Sequence, residues 1–118
     1  MIPFLDLHKV NARFEAEFQE RFKEFLDSGY YILGNQVKVF ESAFANYCGS
    51  NHCIGVGNGL DALRLILEGY KLLGKLNTGD EVLVASNTFI ATILAIKQAG
   101  LKAVLVEAEA DTFNFNLD

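Results

Sequence analysis

The stretch Ile54-Gly55-Val56-Gly57-Asn58-Gly59-Leu60-Asp61-Ala62-Leu63 runs from a short apolar segment, through a glycine turn, into a helical period. A strand that turns directly into a helix is the repeating unit of a parallel sheet covered by helices. The turn also carries chemistry. A helix N-terminus leaves backbone N–H groups unpaired at the positive end of the helix dipole. Glycines before it let an anion approach the backbone closely.

The unit recurs downstream. Residues 53–56, 81–85 and 102–106 read as three strands. Between them, residues 60–73 and 88–99 read as helices, the second closed by Gly100, and residues 76–80 form a turn. This βαβαβ order predicts a parallel sheet inside an α/β sandwich. Two helices precede it. Over residues 7–27 the apolar positions Val10, Phe14, Phe18, Phe22 and Leu26 fall four apart, with Gly29 as a stop. Residues 36–47 carry Val37, Phe40, Phe44 and Tyr47 on one side. The expected division is a helical segment, 1–50, and an α/β part, 51–118. Residues 107–118 are neither a finished helix nor an ordinary polar tail, so the fold is expected to continue beyond them.

Composition narrows the function classes. With 51% hydrophobic and 21% charged residues the chain can bury a core. A net charge of -5 and scattered lysines argue against nucleic acid as a partner. No apolar run approaches the ~18 residues that suggest a membrane span. Two cysteines, Cys48 and Cys53, and no recognisable leader suggest a reduced, cytoplasmic protein. His8 and His52 lack the spacing of metal ligands. Ser86 has no histidine partner suggested by the sequence.

Two strand-to-helix turns hold the candidate chemistry. From Gly57, the pattern G-x-G-x-x-A ends on Ala62, which fits a dinucleotide turn. That reading also asks for an acid at the end of the second strand, where Ser86 and Asn87 stand instead. No G-K-[ST] is present for a P-loop. A plain tight turn capped by Asn58 explains the same residues. The second turn, Ala85-Ser86-Asn87-Thr88-Phe89, offers Asn87 or Thr88 as a cap and puts Phe89 in the first helical turn. Phe89 is then a core residue or an aromatic plate at the sheet edge where ligands of α/β folds bind. Glu107 and Glu109, two apart, share a face and read as solvated or bonded to a neighbour.

Several ordered blocks carry a family resemblance. They are Ile2-Pro3-Phe4-Leu5-Asp6-Leu7, Ser28-Gly29-Tyr30-Tyr31-Ile32-Leu33-Gly34, Ala43 with Asn46-Tyr47, Val56-Gly57-Asn58-Gly59, Gly79-Asp80-Glu81-Val82, Ser86-Asn87-Thr88-Phe89-Ile90-Ala91-Thr92, and the acids and polar residues Glu107, Glu109, Thr112 and Asn114. Together they resemble the N-terminal third of the DegT/StrS-type sugar-nucleotide aminotransferases. The resemblance implies the three-layer α/β sandwich of the fold type I large domain of pyridoxal-phosphate enzymes, incomplete in this chain. It implies pyridoxal 5'-phosphate as cofactor, with Asn58, Gly59 and Leu60 at its phosphate and Phe89 stacked on its ring. Phe4, Asp6 and Tyr31 would lie toward a nucleotide-sugar substrate. The implied reaction passes an amino group, with glutamate as donor, to a nucleotide-linked keto-deoxysugar in aminosugar biosynthesis. The implied assembly is a homodimer.

Departures refine this. Many relatives have Thr-Ala where this chain has Leu60-Asp61, which leaves the phosphate more dependent on the backbone. Asp61 is expected to turn away and support the helix N-terminus. The Gly-Leu-Asp-Ala version resembles members that aminate C-3 of a dTDP-linked keto-deoxyhexose. Covalent catalysis with this cofactor needs a lysine and an acid facing the pyridine nitrogen. None of Lys9, Lys23, Lys38, Lys71, Lys75, Lys97 or Lys102 follows a strand near the cofactor edge. These 118 residues alone are therefore expected to be inactive, with no catalytic residue among them. A dehydratase of the same family and a non-catalytic α/β domain are the alternatives.

Overall fold

The computed structural model describes residues 3–115. The resemblance at Ile2 and the chain's last residues, 116–118, lie outside them. The fold separates into two compact units, Met1–Gly55 and Val56–Asp118.

The first unit is helical. It contains α1 (Leu7–Ala12), α2 (Glu15–Ser28) and α3 (Asn35–Cys48). The uninterrupted helix expected over residues 7–27 is in fact two. At Phe14 the backbone leaves the helical region, with φ −109 and ψ 1. Its N–H donates to Asn11 O at 2.9 Å, one residue tighter than an α-helical bond. The four-residue phenylalanine spacing runs through this break without registering it. Gly29 ends α2 at φ 63, a left-handed conformation that costs glycine little.

The second unit contains α4 (Gly59–Leu72), β1 (Glu81–Ala85), α5 (Ile90–Gln98) and β2 (Lys102–Val106). The two strands are parallel, in register from Glu81 opposite Lys102 to Ala85 opposite Val106. Backbone bonds continue past both ends. Gly79 N–H donates to Gly100 O, and Ser86 N–H to Val106 O, each at 2.9 Å. The third expected strand, at residues 53–56, does not form among the described residues. A strand exists only through a ladder with a neighbour. Here the Gly55 N–H instead donates to the Glu41 carboxylate at 2.7 Å.

The core lies between the sheet and its helices. Val84, Ile96, Ala99 and Leu101 are buried together, with Leu67, Leu76, Val82, Ile93 and Ala103 packed around them. Alternation along β1 puts Val84 inside and leaves Leu83 exposed. α4 packs on α5. Lys71 Nζ ties the pair by donating to Ala99 O at 2.9 Å and meeting Glu68 at 3.2 Å. No described helix is long and apolar enough to cross a membrane.

Candidate functional site

The turn at residues 57–59 delivers the chain into α4 with a defined set of open amides. Asn58 is the N-cap, in extended conformation. Its Oδ1 accepts the Asp61 N–H at 2.9 Å, and its carbonyl accepts the Ala62 N–H at 3.1 Å. The side chain thus satisfies one of the amides a helix start leaves orphaned, and the carbonyl takes the first ordinary helical bond. The Gly59 and Leu60 N–H groups have no acceptor among the described residues.

Gly59 is not required by the backbone or by its neighbours. Its φ lies outside the left-handed region, and a Cβ built on it would meet nothing within 4 Å. Two open amides at the positive end of a fourteen-residue helix, next to unobstructed space, suit an oxyanion such as a phosphate.

Asp61, in the first turn, brings a negative charge close by. Its carboxylate turns back to the cap, accepting a bond from Asn58 Nδ2 at 3.0 Å. Asn58 and Asp61 thus hold each other twice, in the reciprocal manner of a capping box. The other carboxylate oxygen lies 3.7 Å from the Arg64 guanidinium. This network is only half visible in the sequence, as an N-x-x-D-x-x-R spacing on one helix face.

The second turn differs from expectation. α5 begins at Ile90, and its N-cap is Phe89, which makes no side-chain cap bond. Neither Asn87 nor Thr88 caps the helix. Thr88 Oγ1 pairs with Thr92 Oγ1 at 3.0 Å, and Asn87 Nδ2 donates to Phe113 O at 3.3 Å. The Asn87 bond joins the turn after β1 to the acidic block after β2. That block folds on itself. Glu109 N–H donates to Asn114 O at 2.9 Å, and the Glu109 carboxylate accepts from Thr112 at 2.7 Å. Phe89 follows the carboxyl end of β1 and is 78% exposed, so it is not a core residue of the described structure.

The remaining sequence candidates lie in the first unit. Phe4 is fully exposed. Asp6 caps α1, accepting the Lys9 N–H at 3.1 Å. The Tyr31 hydroxyl donates to Leu26 O at 3.0 Å, and its ring lies 4.9 Å from that of Phe25. Tyr31 also lines an open hollow of about 540 Å³ together with Glu24, Tyr30, Gln36 and Lys38.

The pattern of the DegT/DnrJ/EryC1/StrS aminotransferase family matches residues 12–118. The chain belongs to that family. It is 52% identical, over 98% of its length, to the dTDP-3-amino-3,6-dideoxy-alpha-D-galactopyranose transaminase of Aneurinibacillus thermoaerophilus. It spans 31% of that relative's length. The crystal structure of S. venezuelae DesV matches with a TM-score of 0.85 at 40% identity, covering 98% of this chain and 30% of DesV. The E. coli GDP-4-keto-6-deoxy-D-mannose-3-dehydratase with bound hydrated PLP matches with a TM-score of 0.77 at 28% identity, covering 83% of this chain and 26% of that one. The parallel pair and its helices are thus part of the family's α/β large domain, present here without the rest of its sheet.

Proposed function

We propose that this chain supplies the phosphate cradle and ring platform of a pyridoxal-phosphate-dependent sugar-nucleotide aminotransferase. The observation that carries the reading is the pair of open amides at Gly59 and Leu60, held in place by the Asn58 cap. The two amides receive the cofactor phosphate, with the α4 dipole behind them. The exposed Phe89 ring stacks on the pyridine face. When bound, the cofactor supplies the electron sink that lets an amino group move between donor and acceptor.

The acceptor in this reading is a nucleotide-linked keto-deoxysugar, aminated at C-3 of a dTDP-hexose, with glutamate as donor. Support comes from the 52% identical transaminase, whose name specifies a 3-amino dTDP sugar. The complete enzyme works as a homodimer in the cytoplasm. The lysine that bonds to the cofactor lies outside these residues. Lys9, Lys23 and Lys71 are engaged with Asp6, Asp27 and Glu68. Lys75 lies over the Tyr70 ring, 5.5 Å from its centroid.

The test uses the complete protein loaded with pyridoxal 5'-phosphate. Adding glutamate bleaches the visible band of the bound cofactor. A dTDP-linked 3-keto-6-deoxyhexose then restores it and gains an amino group by mass spectrometry. A loaded protein that eliminates water from the sugar without gaining nitrogen is a dehydratase. A protein that takes up no cofactor has only a structural glycine turn.

A further inference from the structure

A phosphate cradle with a carboxylate in its first turn carries an internal conflict, since Asp61 repels the dianion that Gly59 and Leu60 are placed to hold. We propose that Arg64 resolves it by masking the charge of Asp61. Arg64 is therefore a positioning residue for cofactor binding that never touches the cofactor. The inference rests on the phosphate reading above. Three observations support it.

The Asp61 carboxylate is close to the cradle. One oxygen bonds to Asn58 Nδ2 at 3.0 Å and lies 3.9 Å from where a Cβ on Gly57 would stand. It cannot swing into solvent without giving up that bond, which orients the Asn58 amide. With Nδ2 turned to the carboxylate, Oδ1 faces the Asp61 N–H and takes it out of the anion's reach. The other carboxylate oxygen faces Arg64 at 3.7 Å. One side chain thus fixes the cap with one oxygen and has its charge offset at the other.

The alternative is that Arg64 attracts the phosphate directly. The two roles separate in a double substitution. Losing a masking arginine matters only while Asp61 is charged. Losing an attracting arginine matters whether Asp61 is charged or not.

The experiment measures the dissociation constant of pyridoxal 5'-phosphate from the complete protein by equilibrium dialysis. The proteins are unsubstituted, R64Q, R64K, D61N and D61N/R64Q. R64Q is expected to bind about three- to tenfold more weakly, as an unmasked unit charge a few ångströms from a dianion requires in a solvated site. R64K, which keeps the charge, stays within about threefold of the unsubstituted protein, a spread within the range one exposed ion pair contributes. D61N/R64Q recovers to that range as well. The R64Q deficit shrinks as salt is raised to about 1 M, because exposed charges are then screened within about 3 Å. A folding defect would show no such salt response and no recovery in the double substitution.

A D61N/R64Q protein that falls below D61N by as much as R64Q falls below the unsubstituted protein overturns the masking role in favour of direct attraction. An R64Q protein that binds like the unsubstituted one overturns it outright. If the unsubstituted protein retains no cofactor, the phosphate reading fails and this inference fails with it. Retention with an unchanged R64Q sinks the inference alone.

Discussion

Glu41 and Gly55 are joined across fourteen positions of sequence, the Gly55 N–H donating to the Glu41 carboxylate at 2.7 Å. The bond fastens the extended segment before the glycine turn onto α3. A charge-assisted bond to a backbone amide contributes about 1.5–3 kcal/mol when well sheltered and less near solvent. Glu41→Ala is expected to raise the exchange rate of the Gly55 amide about tenfold, the equivalent of roughly 1.4 kcal/mol. Glu41→Gln, which keeps an acceptor, should lose less. Native-state hydrogen exchange reads both; unchanged Gly55 protection in Glu41→Ala would remove the bond from the account.

Asn58→Ala removes the cap side chain and frees the Asp61 amide. Loss of such a cap costs about 1 kcal/mol of local stability. Faster amide exchange in the first turn of α4 is the expected sign, with weaker retention of pyridoxal 5'-phosphate by the complete protein. Asn58→Ser keeps a cap acceptor and should restore the exchange protection.

Phe89 separates fold from function. The residue is largely exposed in the described structure, so the described packing gives Phe89→Ala no cavity to leave. Loss of an aromatic stack weakens binding by about 0.5–1.5 kcal/mol, roughly two- to tenfold in cofactor affinity. Phe89→Tyr keeps a ring and should bind within about twofold of the original, a difference smaller than the stacking contribution itself. Equal affinity in Phe89→Ala and the unsubstituted protein would take the ring out of the site.

Leu33 sits at φ 52, a conformation unfavourable for a residue with a Cβ, and its side chain is 75% exposed. The left-handed conformation costs about 1–2 kcal/mol, while a glycine gives back about 0.5–1 kcal/mol in unfolded-chain entropy. Leu33→Gly should therefore stabilise the first unit slightly, by up to about 1 kcal/mol. Urea unfolding followed in that unit checks the sign.

Ile96 is 3% exposed at the centre of the small core. Ile96→Ala should destabilise the second unit by about 2–5 kcal/mol, the range for truncating a buried aliphatic side chain. Thermal unfolding measures it, and a loss below ~1 kcal/mol would mean the site collapses around the cavity.

Much of this architecture was legible in local sequence. β1 and β2 fall on the expected residues because each is a short apolar run entered from a turn glycine, Gly79 or Gly100. α3 and α4 lie within a residue of their expected bounds because cap and stop residues flank a clear period. The failures share a cause, since each depends on a partner outside the local window. Residues 53–56 have strand composition but no neighbour in the described sheet. Phe14 keeps the helical spacing while its backbone turns tighter. Thr88 was a plausible cap, and only the structure reveals that Thr92 takes its hydroxyl. At the candidate site, the Asn58 cap could be read from the sequence. Asp61, expected to turn away and support the helix start, does support it through Asn58, but its carboxylate stays beside the glycine turn and near Arg64.

The bond from Gly79 to Gly100 closes the amino edge of the parallel pair with two turn residues rather than two strand residues. A slip of one residue would turn Val84 outward and Leu83 inward, so the closure locks which side chains enter the core. At the opposite edge, Ser86 N–H still reaches Val106 O, and beyond it the connection through Asn87 uses a side chain and a loop carbonyl. The two edges therefore differ in tolerance. Insertions between Ser86 and Phe89, or after Val106, can lengthen the loops without moving a core residue. The same insertion at Gly79 or Gly100 would rethread the sheet. Changes in loop length are thereby channelled to one rim, while the other serves as the sheet's ruler.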